Sequence, residues 1–208
     1  TDEAIWPAQI HDCKAAIRWL RANAEQYGAD SKKIIVAGSS AGGHLVAMLG
    51  TSGDVQELEG NLGNYVDKSS RVDGVVNFFG PSDLASMGGW HNNSDSPESL
   101  LLGGTVPENK KIARAASPIT YASEDDPPFL TIHGTNDSVV PFEQSAQLTK
   151  ALQKAGAFAQ LIPIEGGGHG RPRLRELDDR IQLFLENQVN GTNHEISTES
   201  IPSPKRSR

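Results

Sequence analysis

The sequence predicts an α/β fold, a mostly parallel sheet with helices on both faces. Three observations predict it. Short runs rich in β-branched and aromatic residues recur along the 208 residues, each bounded by turn formers. Amphipathic stretches with apolar residues three and four apart lie between them. Strands that alternate with helices in this way build right-handed βαβ units, whose sheet needs cover on both sides.

The first predicted element is a helix over 7–27. Pro7 suits its first turn, where a missing N–H costs nothing. Ile10, Cys13, Ile17, Leu20 and Ala24 form its apolar stripe, and Gly28 can close it in a left-handed cap. The run KKIIVAG at 32–38 reads as a buried strand, followed by a helix over 41–49. The runs VDGVVNFF (72–79), PFLTIH (128–133) and AFAQLIPI (157–164) read as three further strands. Helices are predicted over 142–155 and 174–189, the latter with Leu177, Ile181, Phe184 and Leu185 on one side. No repeat at solenoid period occurs.

Two stretches depart from the alternation. Residues 80–120 form a long, lid-like excursion with two Gly-Gly pairs and Trp90; such excursions often cover a site. Residues 190–208 form a polar, Ser- and Pro-containing tail that reads as disordered by composition. The core is thus expected over 1–189.

Composition excludes several function classes. A net charge of −7 argues against nucleic acid as a partner, since phosphates call for basic patches. No apolar run approaches the roughly 18 residues of a membrane span. The opening TDEAIWPAQ lacks the basic start and apolar stretch of a secretory leader. With one cysteine, Cys13, an intrachain disulfide framework and a cysteine-based zinc site are excluded, and no metal site is expected.

The motif Gly38-Ser39-Ser40-Ala41-Gly42-Gly43 sits directly after a predicted strand and before a predicted helix. That is the context of a nucleophile elbow, with Ser40 on a sharp turn and Gly38 and Gly42 allowing close approach. The helix N-terminus favours developing negative charge, and the Ala41 N–H is the candidate oxyanion donor. The plain alternative is a Gly/Ser turn without a role.

A serine nucleophile needs a base, and six histidines are available. His11, His44, His91 and His194 lie in predicted helices, the excursion and the tail; His133 ends a strand and is expected to order the next loop. His169 follows the fourth strand within EGGGHG, where glycines let a loop carry an imidazole over the carboxyl edge of the sheet. Asp137, in HGTNDSVVP after the third strand, is the candidate acid that orients it. An Asx turn former is the alternative reading of Asp137. Asp12 is read as part of a solvated helix face. The chain order Ser40, Asp137, His169 is that of α/β-hydrolases.

The runs WPAQIHDCKAAIRWLRANAEQYGAD, VAGSSAGGHLVAML, NFFGPSDL, ASPITYAS, PPFLTIHGTNDSVVPFEQS and IPIEGGGHG resemble the esterase/lipase α/β-hydrolases, with bacterial feruloyl and acetyl-xylan esterase-like enzymes and hormone-sensitive-lipase-like carboxylesterases the nearest in kind. The resemblance covers about residues 5–189 and implies a serine carboxylesterase with Ser40, His169 and Asp137 as its triad. It implies no cofactor, and a small ester or an esterified plant polysaccharide as substrate. Ser39, Phe79, Trp90 and Val139 are the candidate pocket residues. It also implies upstream strands and a His-Gly-Gly-Gly oxyanion loop, a run this sequence does not contain. The strand nearest Ser40 is therefore expected to have a bare edge, open to self-association. Two further readings are a prolyl-oligopeptidase-type peptidase, against which Ala41 counts because those enzymes carry an aromatic residue there, and a binding module on a hydrolase scaffold.

Overall fold

A computed structural model describes residues 3–53 and 55–204. Its centre is a sheet of five parallel strands in sequence order: β1 (Ile35–Ser39), β2 (Gly74–Phe78), β3 (Phe129–Gly134), β4 (Ala159–Glu165) and β5 (Ile201–Pro202). β2 and β3 are buried along their whole length, as expected of central parallel strands. Their side chains alternate between two apolar layers. Val75 and Phe129 face one, Val76 and Leu130 the other.

The first layer holds α1 (Ala8–Asn23), α2 (Ala41–Thr51) and α5 (Glu143–Ala155), through residues such as Ile10, Ile17, Met48, Leu148 and Leu152. Between β2 and β3 run α3 (Pro97–Leu102), α4 (Lys110–Ala115) and several 3-10 turns. The 80–120 excursion is therefore largely packed: Leu84, Met87, Leu102, Val106, Ala113 and Ala116 all join this core. The opposite layer is α6 (Arg175–Asn190), which buries Leu177 and Phe184. Leu185, expected on the same side, is 36% exposed.

The expected helix at 7–27 is α-helical to Asn23 and tightens to a 3-10 turn that Gly28 caps at φ 65°. Its buried face includes two charges that apolar spacing alone does not anticipate. Lys14 donates to the Glu59 carboxylate at 2.6 Å and to the Ser52 carbonyl at 2.6 Å, and Arg18 donates to Glu59 at 3.0 Å. The ion cluster fastens residues 56–62 to α1.

The tail requires a correction. Among the described residues the expected four strands are five, and the stretch read as disordered supplies the last. Ile196 and Ile201 bury themselves beside Phe184 in the second layer. The Ser203 N–H donates to the Glu165 carbonyl at 2.9 Å, and Arg180 of α6 donates to the Ser197 and Glu199 carbonyls at 3.0 and 2.6 Å. Two isoleucines and one arginine outweigh the polar composition. Residues 205–208, also part of the expected tail, lie outside the described residues. At the other end, among the described residues, β1 pairs with β2 alone, and its Ala37 and Ser39 are exposed.

Candidate active site

The strands β1, β3 and β4 end at the same edge of the sheet, and each passes into one of the three candidate residues. After β1 the chain reverses at Ser40, which takes φ 55° and ψ −122°, a conformation L-residues rarely adopt. The surroundings hold it there. Its N–H donates to the Phe78 carbonyl at 2.9 Å, and α2 starts at Ala41. A Cβ on Gly38 would lie 2.2 Å from the Gly42 carbonyl oxygen, so the turn closes only with glycine at 38. Gly42 is different. A Cβ there would meet nothing within 4 Å, and the close approach expected of it falls instead to Gly43.

The loops after β3 and β4 interlock. The Asn136 N–H donates to the Gly167 carbonyl at 2.8 Å, and the Gly166 N–H donates to Thr135 Oγ1 at 2.9 Å. This contact sets His169 between Ser40 and Asp137. Ser40 Oγ lies 2.9 Å from His169 Nε2, and His169 Nδ1 lies 2.7 Å from Asp137 Oδ2. Asp137 accepts only, so Nδ1 carries the proton and Nε2 is left to accept from Ser40. Asp137 Oδ1 accepts from the Val139 and Val140 N–H groups at 2.8 and 2.9 Å. Burial pushes the Asp137 carboxyl up, but the hydrogen bonds from His169, Val140 and Val139 outweigh it and hold the group below the usual carboxylate range.

The other candidates fall in different places. Ala41 opens α2, where first-turn N–H groups have no intrahelical partner. Phe79, buried and at φ 44°, sets its ring 4.7 Å from the His169 ring. Val139 reaches the site through its backbone, the residue being 38% exposed. Ser39 is exposed at the end of β1. Trp90 is about half-exposed and stacks on His91 at 3.9 Å between centroids. A cavity of about 220 Å³ adjoins the elbow, lined by Ala41, Leu45, Pro81, Leu84, Pro97 and Leu101 among others.

His133 bonds the loop that follows its strand, as expected of it, and His44 reaches beyond its own helix. The buried His44 donates to the Ala116 carbonyl at 2.6 Å, tying α2 to the excursion; burial lowers its pKa. His133 lies 3.2 Å from Asp137 Oδ2, a contact made possible when the 134–140 loop folds back on its own strand. Among the described residues no cluster of His, Cys, Asp or Glu is placed to hold a metal, and no helix is long and apolar enough to cross a membrane.

The BD-FAE family model matches residues 1–152. The chain belongs to the BD-FAE family. Esterase LipC of Mycobacterium tuberculosis is 35% identical over 211 residues, covering 94% of this chain and 50% of LipC. The chain thus spans about half the length of that relative. Among solved structures, a truncated carbohydrate esterase from gut microbiota superposes with a TM-score of 0.86 at 40% identity, covering 90% of this chain and 70% of that one. A bifunctional GH43-CE protein of Bacteroides eggerthii gives 0.85 at 40% identity, covering 89% of this chain and 28% of that one. The fold of this BD-FAE member is that of the esterase α/β-hydrolases.

Proposed function

We propose that the chain carries the catalytic core of a serine carboxylesterase. The observation that supports this reading is the hydrogen-bonded run from Ser40 Oγ through His169 to Asp137, at 2.9 and 2.7 Å. In the proposed reaction Ser40 Oγ attacks the ester carbonyl while its proton passes to His169 Nε2. Asp137 stabilises the imidazolium that results, and the Ala41 N–H donates to the tetrahedral oxyanion. His169 then protonates the leaving alcohol. Water, deprotonated by the same imidazole, hydrolyses the acyl-enzyme and restores Ser40.

The substrates we propose are short-chain or aryl esters, acetyl or feruloyl in type, borne on plant polysaccharide. The carbohydrate esterases among the similar structures support this class. Phe79 and Trp90 are proposed to line the ester's path, Phe79 from its contact with His169 and Trp90 as a half-exposed ring able to stack on an aryl acyl group or a sugar.

The test is hydrolysis of p-nitrophenyl acetate and of a feruloylated arabinose by the chain and by Ser40→Ala. Turnover that disappears in the variant is expected. Equal rates in the two proteins would overturn the reading.

A further inference from the structure

We propose that His133 is a positioning residue for Asp137, and that Ser145 holds the imidazole in the orientation this requires. The proposal rests on the reading of Ser40, His169 and Asp137 as a catalytic run. It starts from protons. His133 Nε2 faces the Val140 carbonyl at 3.0 Å and Asp137 Oδ2 at 3.2 Å, both acceptors. Nε2 must therefore carry a hydrogen, shared between the two. Nδ1 faces Ser145 Oγ at 2.7 Å, and a neutral ring accepts there from the serine hydroxyl. The ring is fully buried, between Phe79 and Phe142 at 6.3 and 5.6 Å, and burial holds it in the neutral form.

The consequence for Asp137 is geometric. Its carboxylate accepts four N–H donors: two backbone groups on Oδ1 and two imidazoles on Oδ2. The backbone donors, Val139 and Val140, belong to the same loop as Asp137 and move with it. His169 sits in a glycine-flanked loop. Among the described residues His133 is the side chain that ties the carboxylate to the sheet, because it belongs to β3. Ser145, in α5, anchors His133 in turn. The run of side chains thus continues from α5 through Ser145, His133, Asp137 and His169 to Ser40. A histidine that merely satisfied its own burial would need only Ser145 and Val140. Among the described residues the titratable groups facing Asp137 are these two histidines, one from β3 and one from the loop after β4.

The experiment compares His133→Phe, His133→Gln and Ser145→Ala with the unmodified chain. Phe fills the slot between the two aromatic rings without a donor, whereas the Gln amide can return an N–H near the Nε2 position. With p-nitrophenyl acetate, His133→Phe should lower kcat roughly 10- to 100-fold, as small misplacements of a catalytic group do, with KM changing less than about threefold. Ser145→Ala should lower kcat less, and His133→Gln should recover most of it. In the free protein the downfield proton resonance of His169 Nδ1–H should move or broaden in His133→Phe and return in His133→Gln. An unmoved resonance and unchanged kcat in folded His133→Phe would overturn the proposal. If that variant does not fold, Ser145→Ala and His133→Gln decide: a Ser145→Ala protein with the unmodified resonance and kcat overturns it too. The resonance needs no substrate. A chain inert toward esters whose His169 signal still depends on His133 would sink the esterase reading alone. An active esterase indifferent to His133 and Ser145 would sink this proposal alone.

Discussion

Gly43 and Gly80 meet backbone to backbone. A Cβ built on Gly80 would lie 2.4 Å from the Gly43 carbonyl carbon, and one on Gly43 would lie 2.9 Å from Gly80 Cα and 2.8 Å from the Phe78 carbonyl oxygen. The contact presses the first turn of α2 onto the loop that leaves β2. The Ser40 N–H donates to that same Phe78 carbonyl, so the close approach also sets the depth at which Ser40 stands.

Gly43→Ala should therefore destabilise the fold by about 1–3 kcal/mol, the usual cost of overpacking. Gly42→Ala should be neutral or stabilising by up to about 1 kcal/mol, since alanine is the better helix former and its Cβ meets open space. Urea unfolding of both variants checks the pair. Equal losses in the two would show that the elbow tolerates no side chain in either position.

Asp137→Asn should cost turnover on the order of 10⁴-fold while leaving the fold intact. The amide oxygen would keep the Val139 and Val140 N–H donors, which turns the amide nitrogen toward His169 Nδ1. Donor then faces donor, so the imidazole moves its proton to Nε2 and can no longer accept from Ser40. Steady-state kinetics with p-nitrophenyl acetate, beside a thermal melt, separates this from unfolding. A loss below tenfold would mean that His169 keeps its tautomer without the carboxylate.

Much of this arrangement was legible in the sequence, because its signals were local. GSSAGG lies between an apolar run and a helical stretch, and Asp137 and His169 each follow a run of buried strand type. What was not legible depends on partners distant in the chain. Lys14 and Arg18 look like the wet border of an apolar stripe until Glu59, more than 40 residues on, draws them inside. Ile196 and Ile201 are lone apolar residues in a polar stretch, and only the groove beside Phe184 gives them a place. Gly42 and Gly43 are equivalent as letters. Which of them needs to be glycine is decided by the loop at Gly80.

Trp90→Ala should change the ratio of feruloyl to acetyl ester hydrolysis, lowering kcat/KM for the aryl ester severalfold with less effect on the acetate. Loss of one aromatic stacking partner is worth about 0.5–1.5 kcal/mol, which sets that scale. The ring is 45% exposed and its neighbour His91 is buried, so the indole has a free face to offer. A ratio unchanged by the substitution would remove Trp90 from the substrate path.

Glu59→Gln should destabilise the protein by about 1–3 kcal/mol, the cost of leaving buried donors short of an acceptor; the Glu59 carboxylate is itself 23% exposed, which tempers the loss. Lys14 and Arg18 have side-chain exposures of 0% and 2%, and both bond the Glu59 carboxylate. The amide offers one acceptor where two cations now share two oxygens. The midpoint of urea unfolding reports the loss. A shift worth under 1 kcal/mol would mean that the carbonyl contacts of Lys14 and Arg18 suffice to keep them inside.

Asp126 should give the chain a pH dependence of opposite sign to that of Asp137. Burial raises the Asp126 carboxyl to about 6, against the lowering effect of its hydrogen bonds from the Ser123 N–H and hydroxyl. A folded pKa above the unfolded value of 3.8 means that the folded state holds the proton more tightly. The resulting stability is fully present below pH 3.8 and is lost as pH rises through about 6. Asp137, held low by its donors, instead contributes stability above its unfolded pKa and loses it on acidification. Total stability mixes the two, so the informative quantity is the difference between Asp126→Asn and the unmodified chain. That difference should move in favour of the variant as pH rises from about 4 to about 7 and then level off. Urea unfolding at unit pH steps measures it, and a difference that stays flat across this window would mean that Asp126 remains solvated in the folded chain.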